Sequence, residues 1–216
     1  MSLELHTYWR SSAAYRVRIA LNIKQLEADH KFVHLVKDGG QQHKPSYLKL
    51  NPQGRVPTLV HNGMPFTQSI AIIEYLDELH PNPALLPEDM KDRAWVRSLS
   101  SMIACDVHPL NNLGVLDYLK TEFGADEAAV KRWYQHWIVE GFSALEKRLA
   151  ADARPGSFCY GDHVTMADLF LVPQVYNAER FDVDMSQFEM ISAIAANCRT
   201  LDAFIKAAPE HQADAS

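Results

Sequence analysis

The sequence predicts an α/β domain followed by an all-helical domain (α/β + all-α), and three observations support this. Short apolar segments alternate with helical patterns over the first 80 residues. A proline-rich stretch at residues 81–87 then interrupts the pattern. From residue 88 onward the apolar spacing is helical, without a convincing strand pattern. We therefore expect one domain at residues 1–83 and a second at residues 88–216.

The elements of the first domain follow from local patterns. We expect strands at 3–8 and 31–36, helices at 12–24 and 43–50, a hairpin spanning 58–66, and a helix opened by Ser69. The hairpin rests on Asn62-Gly63, since Asn-Gly between two apolar runs is typical of a two-residue turn. Because a helix joins the first two strands, these strands should be parallel.

The second domain is predicted to hold helical spans at 88–120, 125–151, 165–180 and 187–206. Pro109 lacks an amide proton, so it predicts a kink in the first span. Thr165 and Asp168 have the spacing of a capping box, in which each side chain binds the other residue's amide. We interpret Asp168 as a folding residue that contributes about 1 kcal/mol.

Composition excludes several classes of protein. The chain has 216 residues, 47% of them hydrophobic, and a net charge of −6, so a general attraction to nucleic acid or anionic membrane is not expected. No apolar run approaches the roughly 18 residues that a membrane span needs. Its three cysteines are widely separated, which favours a reduced, cytoplasmic compartment. Histidine and acid spacings predict no metal site.

A pair of hydroxyls marks the junction between the first strand and the first helix. Ser11 and Ser12 lie there, flanked by Arg10 and Arg16. No cysteine is nearby, and no histidine or acid is local enough to act as a general base. Helix N-termini favour anions, so the two arginines either pair with acids or serve a bound anion.

Two other segments allow a structural and a functional interpretation. Ser69 can cap its helix, or Gln68-Ser69 can bind a carboxylate at the free amides. Val56-Pro57 is either an ordinary trans turn, which base rates favour, or a cis bond that turns the Val56 backbone outward. The residues themselves do not choose between these alternatives.

In the helical domain, a polar cluster surrounds the expected kink at Pro109, and it includes His108 and Asn112. A lone histidine is usually structural, whereas a polar cluster on a kink more often forms the wall of a site. Arg180 follows Glu179 directly and could be an ordinary surface residue.

Taken together, the sequence resembles the zeta class of glutathione transferases, a family that includes maleylacetoacetate isomerases. The resemblance covers nearly the whole chain and is carried by SSAAYRVRIAL, KDGGQQ, NPQGRVPTLV, QSIAIIEYL, HPLNNLGVL and VTMADLFLVPQVYNAERF. It implies a thioredoxin-like N-terminal domain, a helical C-terminal domain and a homodimer. Many relatives carry a cysteine after the serine pair, whereas this chain has Ala13.

The resemblance also implies roles for individual residues. Ser11, with Ser12 beside it, is expected to face the sulfur of glutathione as the catalytic position. The implied glutathione contacts are Ser11, Ser12, Gln42, the backbone of Val56 before a cis Pro57, Gln68, Ser69, His108 and Asn112. Arg10 and Arg180 match positions expected to hold substrate carboxylates.

The implied reaction is the glutathione-dependent cis–trans isomerisation of maleylacetoacetate or maleylpyruvate, through thiolate addition, bond rotation and elimination. It would also explain why the serines need no base, because the serine only donates a hydrogen bond to a borrowed thiolate. A general transferase that conjugates or dehalogenates small electrophiles uses the same site. A thiol–disulfide oxidoreductase would need a cysteine after the first strand. A non-catalytic binding module would not need the serines and arginines together.

Overall fold

A computed structural model describes residues 2–215 of the chain. The residues group into two compact units, one formed by residues 2–85 and 200–215 and the other by residues 86–199. Within the described part, no helix is both long enough and apolar enough to cross a membrane.

The first unit is built on a four-stranded sheet with the strand order β2-β1-β3-β4. Its strands are β1 (Leu3–Thr7), β2 (Asp29–Phe32), β3 (Thr58–His61) and β4 (Met64–Thr67), and its helices are α1 (Ser12–Ile23), α2 (Pro45–Leu48) and α3 (Ser69–Leu79). As predicted, β1 and β2 are parallel, whereas β3 runs antiparallel to both β1 and β4. Asn62 and Gly63 both have positive φ in the hairpin turn, which confirms the turn that Asn-Gly predicted.

Two predictions in this unit were wrong. The second strand covers residues 29–32 rather than 31–36, because its partner β1 ends at Thr7, which pairs with Phe32. Ser69 is not the N-cap of α3. That position belongs to Gln68, which has a φ of 69° and a carbonyl that accepts the Ile72 amide at 2.9 Å.

The second unit is helical, as predicted. Its helices are α4 (Met90–Ser101), α5 (Leu113–Phe123), α6 (Glu127–Ala150), α7 (Met166–Arg180) and α8 (Glu189–Cys198). The span predicted at 88–120 with a kink at Pro109 is two helices, because a π-helical turn at Met102–Val107 and a 3₁₀ turn at His108–Asn111, which contains Pro109, separate α4 from α5. Gly141 lets α6 approach this turn closely, since a Cβ there would lie 2.1 Å from Cγ2 of Val107.

The C-terminal segment returns to the first unit, which differs from the predicted division at 88–216. The helix predicted at 187–206 ends at Cys198, and a separate short helix, α9 (Asp202–Ala207), follows an extended Leu201. Three side chains of α1 donate hydrogen bonds to carbonyls of α9, which explains why this segment packs with residues 2–85. These bonds run from Asn22 to Ala203 at 2.9 Å, from Tyr15 to Phe204 at 3.4 Å, and from Arg18 to Ala207 at 3.0 Å.

Candidate active site

The strand register brings four connections to one end of the sheet. His6 in β1 pairs with Thr58 at the start of β3, and Thr58 pairs with Thr67 at the end of β4. The loop after β1, the Val56-Pro57 bond and the Gln68-Ser69 step therefore meet at this end. The loop after β2 joins them, because the Val33 amide donates to the Thr7 carbonyl at 2.8 Å.

Ser11 is the N-cap of α1. Its Oγ accepts the Ala14 amide at 3.2 Å, while its backbone is extended. The hydroxyl proton has no acceptor within residues 2–215, and the side chain is only partly buried. Ser12 lies in the first turn of α1 and is buried. Burial thus separates the two predicted serines, and Ser11 is the one that can donate a hydrogen bond to a ligand at the helix N-terminus.

The peptide bond between Val56 and Pro57 is cis. Neither the amide nor the carbonyl of Val56 makes a hydrogen bond within the described chain. The preceding carbonyl of Arg55 is held firmly, because it accepts the Tyr47 hydroxyl at 2.6 Å and the Asn51 side-chain amide at 2.7 Å. Tyr47 and Asn51 thus fix the segment that presents Val56, a role that the sequence pattern did not reveal.

Gln42 is buried in the loop after β2 and has an unsatisfied acceptor. Its Nε2 donates to the Leu35 carbonyl at 3.2 Å, while its Oε1 is buried without a partner among residues 2–215. Gly40 approaches this amide so closely that an added Cβ would lie 2.6 Å from Nε2. Since Gly40 also has a φ of 90°, this loop requires glycine there. An orphaned oxygen on a fixed amide can accept a hydrogen bond from a ligand.

Gln68 and Ser69 begin α3. Gln68 is exposed, has positive φ, and donates from its Nε2 to Oε1 of Gln53 at 2.7 Å. Strained backbone of this kind clusters at ligand sites. Ser69 is buried, and its Oγ accepts a hydrogen bond from Nη1 of Arg16 at 3.2 Å. Arg16 therefore places a buried cation beside the α3 N-terminus, a role that sequence reasoning left open.

Arg10 is exposed, and its guanidinium lies over the Trp9 ring at 4.4 Å from the centroid. It forms no salt bridge with any described residue. Pairing with an acid, the commoner explanation for such an arginine, is therefore absent from residues 2–215. An exposed guanidinium without an acidic partner among these residues is suited to a carboxylate ligand.

The remaining predicted residues belong to the second unit. His108 lies in the 3₁₀ turn, and Asn112 is the N-cap of α5, where its Oδ1 accepts the Gly114 amide at 3.2 Å. The neighbouring Asn111, which the sequence did not single out, is buried, and neither its side-chain oxygen nor its side-chain nitrogen has a partner in the described part of the chain. No pattern in the sequence distinguishes its environment from that of Asn112.

Arg180 ends α7 and is exposed. Its guanidinium lies over Phe181 at 4.8 Å, and Phe181 stacks on Tyr134 at 3.5 Å. Burial raises the pKa of Tyr134, and the nearby charge of Arg180 opposes that rise. The adjacent Glu179 does not neutralise Arg180, because it forms a bidentate pair with Arg199 at 2.8 Å.

A thioredoxin-like sheet with a serine-capped helix, a residue before a cis-proline whose backbone amide and carbonyl make no hydrogen bond in the described chain, and a separate helical unit define the class of a glutathione transferase. Two domain profiles of that family match the chain, "Glutathione S-transferase, N-terminal domain" at residues 1–78 and "Glutathione S-transferase, C-terminal domain" at residues 127–207. The chain belongs to the glutathione S-transferase family.

Its relatives narrow the class further. A probable maleylacetoacetate isomerase from Vibrio cholerae is 51% identical over 215 residues, covering 100% of this chain and 99% of the relative. A structure described as a holo maleyl pyruvate isomerase, a bacterial zeta-class enzyme, has a TM-score of 0.96 at 46% identity, covering 99% of this chain and 100% of its own. A maleylacetoacetate isomerase from Methylobacterium extorquens AM1, with bound malonate and GSH, has a TM-score of 0.95 at 39% identity and covers 99% of both chains. The chain therefore falls in the zeta class.

Proposed function

We propose that this protein is a glutathione-dependent isomerase that converts maleylacetoacetate or maleylpyruvate to its trans, fumaryl isomer. One observation carries the chemistry: Ser11 caps α1 through its oxygen, so its hydroxyl proton remains available for a sulfur anion at the helix N-terminus. Structural relatives support the choice of cofactor and substrate class, since one binds GSH together with the dicarboxylate malonate.

The residues around the sheet end fit glutathione by the chemistry of their donors and acceptors. The backbone of Val56 offers one donor and one acceptor, as the main chain of a tripeptide requires. The orphaned Oε1 of Gln42 accepts, while the α3 N-terminus at Gln68 and Ser69 favours a carboxylate. We propose that His108 and Asn112 contribute further glutathione contacts and that Ser12 supports Ser11.

When bound, glutathione supplies a thiolate that adds to the cis double bond of the substrate and leaves again after that bond has rotated. Ser11 donates its hydroxyl proton as a hydrogen bond and keeps the sulfur charged at neutral pH. Lowering a thiol pKa from about 8.5 to about 6.5 takes about 2.7 kcal/mol. A hydrogen bond to a charged group contributes about 1.5–3 kcal/mol, and a helix N-terminus adds about 0.3–1 kcal/mol. The two effects together therefore suffice.

Arg10 and Arg180 hold the substrate carboxylates in this proposal. Both are exposed cations without a salt bridge among the residues described, and guanidinium matches a carboxylate with two parallel hydrogen bonds. Because Ala13 replaces the cysteine of many relatives, the chain itself offers no thiol at this loop, and the sulfur must come from glutathione.

The test is a cis–trans isomerase assay on both maleyl substrates, with and without glutathione. We expect turnover of at least one substrate, abolished when glutathione is omitted. Conjugation or dehalogenation of small electrophiles without turnover of either maleyl compound would show a general transferase instead. Retention on glutathione resin without any turnover would show a binding module.

We also propose that the protein acts as a homodimer in the cytoplasm, in aromatic amino acid catabolism. The three cysteines are free in the structure, and Cys159 and Cys198 are buried as thiols, which suits a reducing compartment. Sedimentation equilibrium of the purified chain tests the dimer, and a monomer at micromolar concentration would contradict it.

A further inference from the structure

The turn that carries Arg10 and Ser11 lies outside the sheet ladder. β1 ends at Thr7, and α1 begins at Ser12. A single backbone hydrogen bond, from the Ser11 amide to the Tyr8 carbonyl at 3.0 Å, closes the turn between them. The remaining polar groups of its backbone therefore need partners from elsewhere in the fold.

Two charged side chains supply those partners at Trp9. Oδ2 of Asp214 accepts the Trp9 amide at 3.0 Å, and Nη2 of Arg18 donates to the Trp9 carbonyl at 3.0 Å. Nη1 of Arg18 also donates to the Tyr8 carbonyl at 3.3 Å. Arg18 and Asp214 thus hold both polar groups of the Tyr8–Trp9 peptide, and Arg18 also holds the carbonyl of the peptide group before Arg10.

Arg18 is itself immobilised. Its side chain is 2% exposed, and it donates further hydrogen bonds to Oγ1 of Thr7 at 3.1 Å and to the Ala207 carbonyl at 3.0 Å. Burial lowers the pKa of Arg18 to about 10, while the charges of Tyr15 and Asp214 oppose the decrease. Arg18 therefore stays protonated at neutral pH and can hold the turn and the C-terminal segment together.

We propose that Arg18 and Asp214 are positioning residues for the reaction, an inference that rests on the proposed function. They fix the turn from Tyr8 to Ser11, so they set where the Ser11 hydroxyl points and where Arg10 is presented. The C-terminal segment is then part of the frame of the catalytic loop. A displacement of about 1 Å in a catalytic group can cost on the order of 100-fold in rate.

The proposal predicts a particular kinetic pattern. Gln42, Val56 and Gln68 lie on other loops, so glutathione binding should survive when the turn loosens. The orientation of Ser11 should not survive, so kcat should fall and the pKa of the bound thiol should rise. If Arg18 and Asp214 only stabilise the fold, replacing them would lower the melting temperature. The kcat and the thiol pKa of the molecules that remain folded would then be unchanged.

The experiment compares Asp214→Ala, Asp214→Asn and Arg18→Lys with the wild-type protein. Asp214→Asn keeps an oxygen acceptor for the Trp9 amide, whereas Arg18→Lys keeps the charge but loses the planar fork. Asp202→Ala is the matched control, since Asp202 is an exposed acid on the same segment, with 86% of its side chain accessible. The readouts are kcat, the KM for glutathione, the ultraviolet titration of the bound thiolate, and hydrogen exchange of the Trp9 amide without glutathione.

We expect Asp214→Ala and Arg18→Lys to lower kcat about tenfold and to raise the bound thiol pKa by about one unit, with the glutathione KM changed less than about twofold. Trp9 exchange should accelerate in Asp214→Ala, while Asp214→Asn should recover most of the loss and Asp202→Ala should match the wild type. Unchanged kcat and thiol pKa in both Asp214→Ala and Arg18→Lys would overturn the proposal, whatever the melting temperatures. If the wild type isomerises neither maleyl substrate, the proposed function fails, while the thiol titration and Trp9 exchange still decide the positioning role.

Discussion

The helices α1 and α7 both have a hydroxyl residue at the N-cap, Ser11 and Thr165, and the surroundings of these caps differ. At α7, Oδ2 of Asp168 accepts the amide and the hydroxyl of Thr165 at 2.7 and 3.0 Å. Its Oδ1 accepts the Cys159 amide at 2.8 Å. At α1, Ser11 accepts one amide, and its first turn contains no acid.

This difference indicates that the start of α7 is a structural cap, whereas the start of α1 can bind a ligand. Asp168 is completely buried, and burial raises its pKa while the hydrogen bonds from Cys159 and Thr165 oppose the rise. The amide and hydroxyl of Thr165 and both carboxylate oxygens of Asp168 are thus engaged within the fold. The α1 start keeps an unused proton and an uncompensated helix dipole, which together favour an anion.

Removing the Ser11 hydroxyl should have the largest effect. Ser11→Ala deletes the hydrogen bond to the sulfur anion, which is a bond to a charged group worth about 1.5–3 kcal/mol. We expect kcat/KM in the isomerase assay to fall by about 10- to 100-fold. Because Ser11 also caps α1, Ser11→Ala should lower the free energy of unfolding by about 1 kcal/mol.

Thr165→Ala is the matched control because it removes a hydroxyl at the other helix start. A similar loss of turnover in both variants, at a temperature where both are folded, would mean that Ser11 acts only through stability.

Removing Arg180 should come next in magnitude. Arg180→Ala deletes a guanidinium that forms no salt bridge among the residues described, so a substrate carboxylate loses its partner. We expect the KM for the maleyl substrate to rise about tenfold or more, since the lost bond joins charged groups. Lys120→Ala, which removes an exposed cation paired with Glu127 at 2.7 Å, should leave the KM unchanged. An unchanged KM in Arg180→Ala would remove Arg180 from the substrate site.

At the start of α7, removing the hydroxyl should change stability alone. Thr165→Ala should lower the free energy of unfolding by about 1 kcal/mol and the melting temperature by about 2–4 °C. Glutathione affinity, measured by calorimetry, should remain that of the wild type. A weakened affinity at full folding would show that the α7 start also serves the ligand.

The smallest expected effect is a pH dependence at His30. Burial lowers the pKa of His30, and the charge of Arg18 lowers it further, while Asp214 and Asp29 oppose the shift. The unfolded chain therefore binds a proton more readily, so stability should decline as pH falls through 6.5, the ordinary histidine value. His30→Gln should flatten this decline in melting curves between pH 7 and 5. An equally steep decline would assign it to other groups.

The sequence predicted the capping box, the hairpin and the parallel first strands because each rests on local chemistry. It failed where distant residues decide the outcome. Pro109 predicted an interruption of the helical span at 88–120, but its form, a π-helical turn followed by a 3₁₀ turn, has no local signature. The end of β2 depends on the length of β1, which the residues of β2 do not reveal.

In the candidate site, too, the residues that act over a distance in the chain were the ones the sequence did not reveal. The family resemblance pointed to Ser11, Val56 and Gln68, and the strand register explains how their loops share one end of the sheet. The side chains that hold these loops were not singled out. Tyr47 and Asn51 act on a carbonyl several residues away, and Asp214 acts from the far end of the chain.

The most direct test of the central claim is the ionisation of glutathione bound to the wild type and to Ser11→Ala. The ultraviolet thiolate band is titrated against pH at saturating glutathione, with Thr165→Ala as the control. We predict a bound thiol pKa near 6.5 in the wild type and in Thr165→Ala, and a value about one to two units higher in Ser11→Ala. The same pKa in all three proteins would contradict the proposal that the Ser11 hydroxyl keeps the sulfur charged.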